Sequence, residues 1–188
     1  MARRSDETRD RILDTAYQLF YERGFTRISM DGVAARAALT KRTLYNHFAS
    51  KDALLGEMLK RQSTLAVARI AGWANQQDGS AAELVDGIFA GLGAWSAKKR
   101  WEGSGFTRLA LELADLPGHP ARTAARRHKA MIEQVLADTL RRRGLKRAEA
   151  AARTIVLLTE GATILTLIHC DRTYIGAAAA AARALLDT

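Results

Sequence analysis

The chain has 188 residues, 48% of them apolar and only two of them proline, with a formal net charge of +9. Its length suits one or two packed domains, and its composition excludes a disordered chain. The charge favours a polyanionic partner, nucleic acid before an anionic membrane surface. Cys170 is the only cysteine, so no intramolecular disulfide is possible and a reducing compartment fits.

Met1-Ala2-Arg3-Arg4 reads as a basic arm, of the kind that lies along a DNA backbone or in a minor groove, or is merely disordered. It runs into Ser5-Asp6-Glu7 without an apolar stretch, so no signal peptide is expected. No apolar run approaches the roughly 18–20 residues that span a bilayer. A cytoplasmic protein without membrane contact is therefore expected. Ser5 or Asp6 is the expected cap of a first helix, in which Ile12, Leu13, Ala16, Tyr17, Leu19 and Phe20 recur at helical spacing. Gly24 supplies a left-handed stop, and Phe25 folds back on the helix.

Ser29 caps a second, short helix, with Ile28 and Val33 at hydrophobic-staple spacing. Met30, Val33, Ala34 and Ala37 form its apolar stripe. Ala38-Leu39 leaves only a tight turn before Thr40, the cap of a third short helix, where Leu39 and Leu44 repeat the staple. Leu44 and Phe48 share one face, which must be buried. The other face carries Lys41, Arg42, Thr43, Tyr45, Asn46 and His47, donors suited to phosphates or base edges. No acid occurs between Asp31 and Asp52, a span that holds Arg36, Lys41, Arg42 and Lys51. A solvated basic face is the plain alternative. Two short capped helices joined by a tight turn favour a helix-turn-helix, whose second helix enters the major groove.

Ser50 caps a fourth helix, with Asp52 in its first turn, running through Leu54, Leu55, Met58, Leu59 and Leu65 toward Trp73. Asn75 to Gly79 reads as a loop. Ser80-x-x-Glu83 is a capping box opening a fifth helix with Leu84, Val85, Ile88, Phe89, Leu92 and Trp95. Gly87, Gly91 and Gly93 weaken that helix unless they serve close packing or leave space in the core. Lys98 to Gly105 reads as a mobile connection, Phe106 to Leu116 as a short sixth helix, and Pro120 as the start of a seventh that ends at Gly144. The eighth, from about Arg147 to His169, is the most apolar. A ninth, from about Tyr174 to Leu186, carries the small side chains Ala177 to Ala182. No strand and no internal repeat is read.

The stretch from Thr8 to Leu55 resembles the DNA-binding domain of the TetR family of bacterial transcriptional regulators. The resemblance is carried by Ile12-Leu13-x-x-Ala16-x-x-Leu19-Phe20-x-x-x-Gly24-Phe25, by Ser29-Met30-x-x-Val33-Ala34, and by Thr40-Lys41-x-Thr43-Leu44-Tyr45-x-His47-Phe48-x-Ser50-Lys51-x-x-Leu54-Leu55. It covers about a quarter of the chain. Two departures are Ala38, where the family usually has Gly, and Arg42, where it often has a small residue. A left-handed Ala38 costs about 1–2 kcal/mol.

The resemblance implies an all-α fold of about nine helices. A three-helix helix-turn-helix domain (residues 1–50) precedes a helical ligand-binding and dimerisation domain (51–188). It implies base-edge contacts from Thr40, Lys41, Arg42 and Thr43, with Asn46 on the same face. Phosphate contacts fall to Ser29, Tyr45, His47 and Lys51. In the family the fourth helix links the two domains.

The apolar surface of the last two helices suggests a homodimer through a four-helix bundle, using Leu157, Gly161, Ala162, Leu165, Ile168, Ala178 and Ala181. Completion of a monomeric core is the alternative. A dimer sets two recognition helices about 34 Å apart for a palindromic operator on double-stranded DNA. A small apolar effector would sit among helices four to eight, walled by Trp95, Trp101, Phe106, Leu109, Met131 and Leu158. Arg108, Glu112, His128 and Thr159 would orient it. Plain core packing competes for every wall residue. The expected function is a ligand-responsive repressor without cofactor. An enzyme is disfavoured, because no Ser/His/Asp spacing, phosphate-binding glycine loop or metal-ligand cluster is present. A basic structural or membrane-surface protein is the third reading, and a steep salt dependence of DNA binding separates it from the first.

Overall fold

The computed structural model describes residues 2–75 and 79–186, so Gln76 to Asp78 of the expected loop lie outside the described residues. The described residues form α-helices and no strand. In order they are α1 (Ala2–Arg23), α2 (Met30–Arg36), α3 (Lys41–His47), α4 (Lys51–Asn75), α5 (Ala81–Ser96), α6 (Gly105–Glu112), α7 (Pro120–Arg142), α8 (Ala148–His169) and α9 (Thr173–Ala184).

The local signals mostly place these elements. Ser80 and Glu83 close the capping box on α5, each side chain accepting from the other's backbone N–H. The Ser50 hydroxyl accepts from the Ala53 N–H at the start of α4. Gly24 and Gly144 end α1 and α7 with φ of +83°, the conformation glycine adopts without penalty. One boundary differs from expectation. The α1 backbone is already helical at Ala2, so neither Ser5 nor Asp6 is its cap.

The helices pack as two compact units, neither a single run of chain: residues 1–63 with 105–127, and residues 64–104 with 128–188. The first unit thus includes the first half of α4, all of α6 and the start of α7, not only the helix-turn-helix. Its core joins Ile12, Leu13, Ala16 and Phe20 to Leu44 and Phe48, to Leu54, Leu55 and Met58, and to Phe106, Leu109 and Leu113. In the second unit α5, α7, α8 and α9 share a core of Leu84, Val85, Ile88, Leu136, Leu140, Ala152, Ile155, Ile175 and Ala182.

Within α8 an 18-residue stretch of mean hydropathy 1.5 is long and apolar enough to cross a bilayer by length and composition. One side of it, Ala151, Ala152, Ile155, Ala162, Thr163 and Thr166, is buried within the unit. It is a core helix with one apolar face left open.

Candidate nucleic-acid interface and ligand cavity

α2 ends in a Schellman turn: Leu39 N–H donates to the Ala34 carbonyl at 2.9 Å and Ala38 N–H to the Ala35 carbonyl at 3.1 Å. Ala38 takes the left-handed position, φ +53°. Thr40 then caps α3, its hydroxyl accepting from Thr43 N–H at 3.1 Å and lying 2.8 Å from the Thr43 hydroxyl. Leu44 and Phe48, 0% and 2% exposed, pin the helix to the core. The opposite face is open, with Arg42, Tyr45 and Asn46 exposed and Thr43 and His47 half-buried.

Three sequence candidates have partners within the unit. Ser29 caps α2, accepting from Gly32 N–H at 3.1 Å, and remains exposed. Lys41 pairs with Asp31 at 3.0 Å, and that hydrogen bond holds its ammonium pKa above the usual value. The stretch lacking acids in sequence thus has one beside it in space. Lys51 donates to the Phe25 carbonyl at 2.8 Å and lies 4.2 Å from the Phe25 ring centroid. Burial lowers its pKa. Its ammonium is a structural tie rather than a displayed charge.

The sequence reading missed the groups that hold this surface. Arg9 of α1 donates to the His47 carbonyl at 3.2 Å, where a cation suits the negative end of α3. The same guanidinium lies 4.5 Å from the Phe48 ring centroid and 3.5 Å from Glu57. Glu112 of α6 accepts from the N–H groups of Phe25 and Thr26 at 2.6 and 3.2 Å, satisfying donors in the α1–α2 connection. A Cβ on Gly24 would lie 2.5 Å from Glu112 Oε1. Arg108 donates to the Tyr21 carbonyl at 2.6 Å. No local pattern signals these pairs, because the partners are 38 to 87 positions apart.

The expected ligand residues do not share one cavity. Phe106, Leu109, Arg108 and Glu112 belong to the first unit, where they line a small apolar space with Tyr17, Phe20, Tyr21 and Leu55. They are not part of the second unit's cavity, lined by Arg69, Trp73, Ile88, Leu92, Trp95, Ser104, His128, Lys129, Ile132, Leu136, Thr159, Glu160 and Thr163, with Ala66 and Ile70. Of the expected ligand residues, Trp95, His128 and Thr159 lie there. Trp101 packs edge-on against Trp95 at 5.6 Å, its indole N–H buried without an acceptor among the described residues. Leu158 packs against the core rather than on the cavity wall. Met131, 49% exposed, lines neither cavity. His128 is 4% exposed. Burial first, then the charge on Lys129, pushes its pKa down to about 4, while Glu160 opposes the shift. It is neutral at pH 7.

On α8, Leu157, Gly161, Leu165 and Ile168 share one exposed face, and Ala181 of α9 is also exposed. Ala162 and Ala178, expected beside them, are buried in the protomer's own core and are unavailable to a partner. The four-residue period puts them on the inward side.

Residues 12–58 match the family model described as bacterial regulatory proteins, tetR family. Residues 81–181 match the model described as the C-terminal domain of LmrA/YxaF-like transcriptional regulators. The chain is similar to the HTH-type transcriptional regulator UidR of Escherichia coli K12, 38% identical over 69 residues, 37% of this chain and 35% of that one. It is also similar to the HTH-type transcriptional activator FasR of Mycolicibacterium smegmatis, 41% identical over 56 residues, 30% of this chain and 26% of that one. The chain thus matches about a third or less of the length of these relatives. Over its whole length the fold is similar to a TetR-family transcriptional regulator from Streptomyces coelicolor (TM-score 0.85, 24% identity, 97% of each chain). It is likewise similar to the reduced form of E. coli NemR (TM-score 0.85, 21% identity, 94% of this chain and 95% of that one). With a family model matched at the helix-turn-helix and another over more than half of its length, the chain belongs to the TetR family of DNA-binding transcriptional regulators, which are not enzymes.

Proposed function

We propose that the protein is a ligand-responsive repressor that binds a palindromic operator as a homodimer and is released by a small, largely apolar effector. One observation carries the reading: α3 displays an open, donor-rich face while Leu44 and Phe48 hold its other face rigidly in the core. Arg42, exposed on the first turn, pairs bidentately with a guanine. Thr40, Thr43 and Asn46 approach neighbouring base edges. Ser29, Tyr45 and His47 hold phosphates. Lys41 exchanges Asp31 for a phosphate, and Lys51 contributes through the fold. The open α8 face, with Ala181, seats the second copy, so two α3 helices read half-sites about 34 Å apart. The effector occupies the second unit's cavity and needs no cofactor. α4, continuous from Lys51 to Asn75, carries the response to the helix-turn-helix. The effector must bind the non-DNA state better, or nothing shifts. The working compartment is the cytoplasm.

Fragments of the source genome selected by the protein at low ionic strength test this reading. The expected product is an inverted-repeat site that Arg42→Ala binds about 1–3 kcal/mol more weakly, with relaxed preference at one base pair. A variant with wild-type affinity and preference would remove Arg42 from the assignment. FasR is named an activator, so transcription from the selected fragment in vitro separates repression from activation.

A further inference from the structure

We propose that Arg9 is a positioning residue for base readout: without touching DNA it fixes the roll of α3, and so sets how sharply the protein tells one base pair from another. The inference rests on reading α3 as the helix that enters the major groove.

α3 needs such a group because of how it ends. α2 closes on the left-handed Ala38, and the N–H groups of Ala38 and Leu39 return to its last carbonyls. α3 has no such closure. Phe48 leaves it with φ −139° and ψ 111°, an extended backbone that carries the chain away from the helix. The carbonyls of its last turn are then left to side chains or solvent. Arg9 of α1 meets one of them, donating to the His47 carbonyl at 3.2 Å.

Apolar packing alone does not fix the roll. Leu44 and Phe48 are buried on one stripe. A single stripe holds a helix along a line and leaves rotation about that line soft, so groups off the line must resist it. At the first turn these are the Thr40 cap and the Lys41–Asp31 pair. At the last turn it is Arg9. At the roughly 6 Å radius of a helix with its side chains, a roll of about 10° shifts a contact by about 1 Å. Base readout tolerates less, because N–H···O distances span only about 2.7–3.2 Å.

The guanidinium is itself held. It lies 4.5 Å from the Phe48 ring centroid and 3.5 Å from Glu57 of α4, all within the first unit. A planar fork serves a carbonyl, a carboxylate and a ring at once, which a compact ammonium does not. Glu57 also offsets the charge that a phosphate contact would use, which favours positioning over direct DNA binding.

The test uses the full-length protein, the duplex that the wild type selects from the source genome, and single-base variants of its half-site. Arg9→Met keeps an apolar stem over Phe48 and removes the donors. It is expected to bind the selected duplex about fivefold to tenfold more weakly and to shrink the mismatch penalties about threefold or more at several base pairs. Its salt dependence should match the wild type. Arg42→Ala, by contrast, relaxes one base pair. Loss of a phosphate contact would flatten the log–log salt slope by about 0.9 per protomer and leave the mismatch penalties as they were. Loss of stability alone would follow the unfolded fraction seen by circular dichroism and leave slope and penalties unchanged. Either result overturns the proposal. Should Arg9→Met fail to fold, Arg9→Lys decides, since it keeps the charge without the fork: reduced mismatch penalties support the positioning role, and wild-type penalties overturn it. If the wild type selects no duplex, the DNA reading itself falls. If it selects one and the Arg9 variants discriminate as the wild type does, only this inference falls.

Discussion

Ala38 and His128 are the residues whose chemistry is most at odds with their surroundings. Ala38 holds a left-handed backbone between the two helices of the DNA-binding motif. That conformation costs an L-residue about 1–2 kcal/mol, and glycine returns part of the gain through its freer unfolded chain. Ala38→Gly is therefore expected to stabilise the protein by roughly 0.5–1 kcal/mol in urea titration. Unchanged or lower stability would show that the Cβ packs usefully there. His128 is neutral in the fold, its pKa pushed by burial from the usual 6.5 to about 4. The unfolded chain binds a proton between those values and the folded chain does not. The associated stability is complete above pH 6.5 and is lost as the pH falls toward 4, about 3 kcal/mol in all. Urea midpoints should fall over that window in the wild type and fall less in His128→Gln. Parallel curves would mean that other groups set the acid limb.

α5 shows how one helix uses the same residue type in opposite ways. Gly91 lies under the Trp73 indole, whereas a Cβ on Gly93 meets nothing within 4 Å. Gly93→Ala should gain roughly the 0.5–1 kcal/mol of helix propensity. Gly91→Ala has the same propensity gain but must displace an aromatic ring, an overpacking cost of about 1–3 kcal/mol. Thermal melts of the two variants should therefore move in opposite directions, and only Gly91→Ala should change the tryptophan emission. Equal shifts would refute this packing of Gly91 under the indole. α3 makes the related point about anchoring. Its seven residues are too few to persist alone. Its rigidity comes from Leu44, Phe48 and the Arg9 clamp on the His47 carbonyl.

For the molecule as a whole, the open question is what covers α8. Leu157 and Ile168 are 70% and 65% exposed, on a face continuous with Gly161 and Leu165. If a second copy buries this face, Leu157→Glu should leave the protomer folded, because the site is open, and should break the dimer. Analytical ultracentrifugation at micromolar concentration reads the outcome. Operator affinity should fall with it, since a monomer makes half the contacts. A Leu157→Glu protein that sediments as the wild type would move the interface elsewhere.

The sequence by itself determined every element built from neighbours in the chain. The two short helices, their Ser29 and Thr40 caps and the Ser80–Glu83 box rest on bonds spanning at most a few residues, and the four-residue spacing of Leu44 and Phe48 marks the face that is buried. It also determined the family, because those short-range requirements recur as a motif. Only the tertiary structure decided which cavity each side chain serves. Periodicity says that Phe106, Leu109 and Trp95 are buried but not against what, and α6 joins the first unit while Trp95 stays in the second. The same limit put Ala162 and Ala178 inside instead of on the open face. It hid the Arg9 and Glu112 clamps, whose partners lie 38 to 87 positions away. Such pairs form only once burial of several distant stripes has overcome the entropy of closing the chain between them, which no local pattern records.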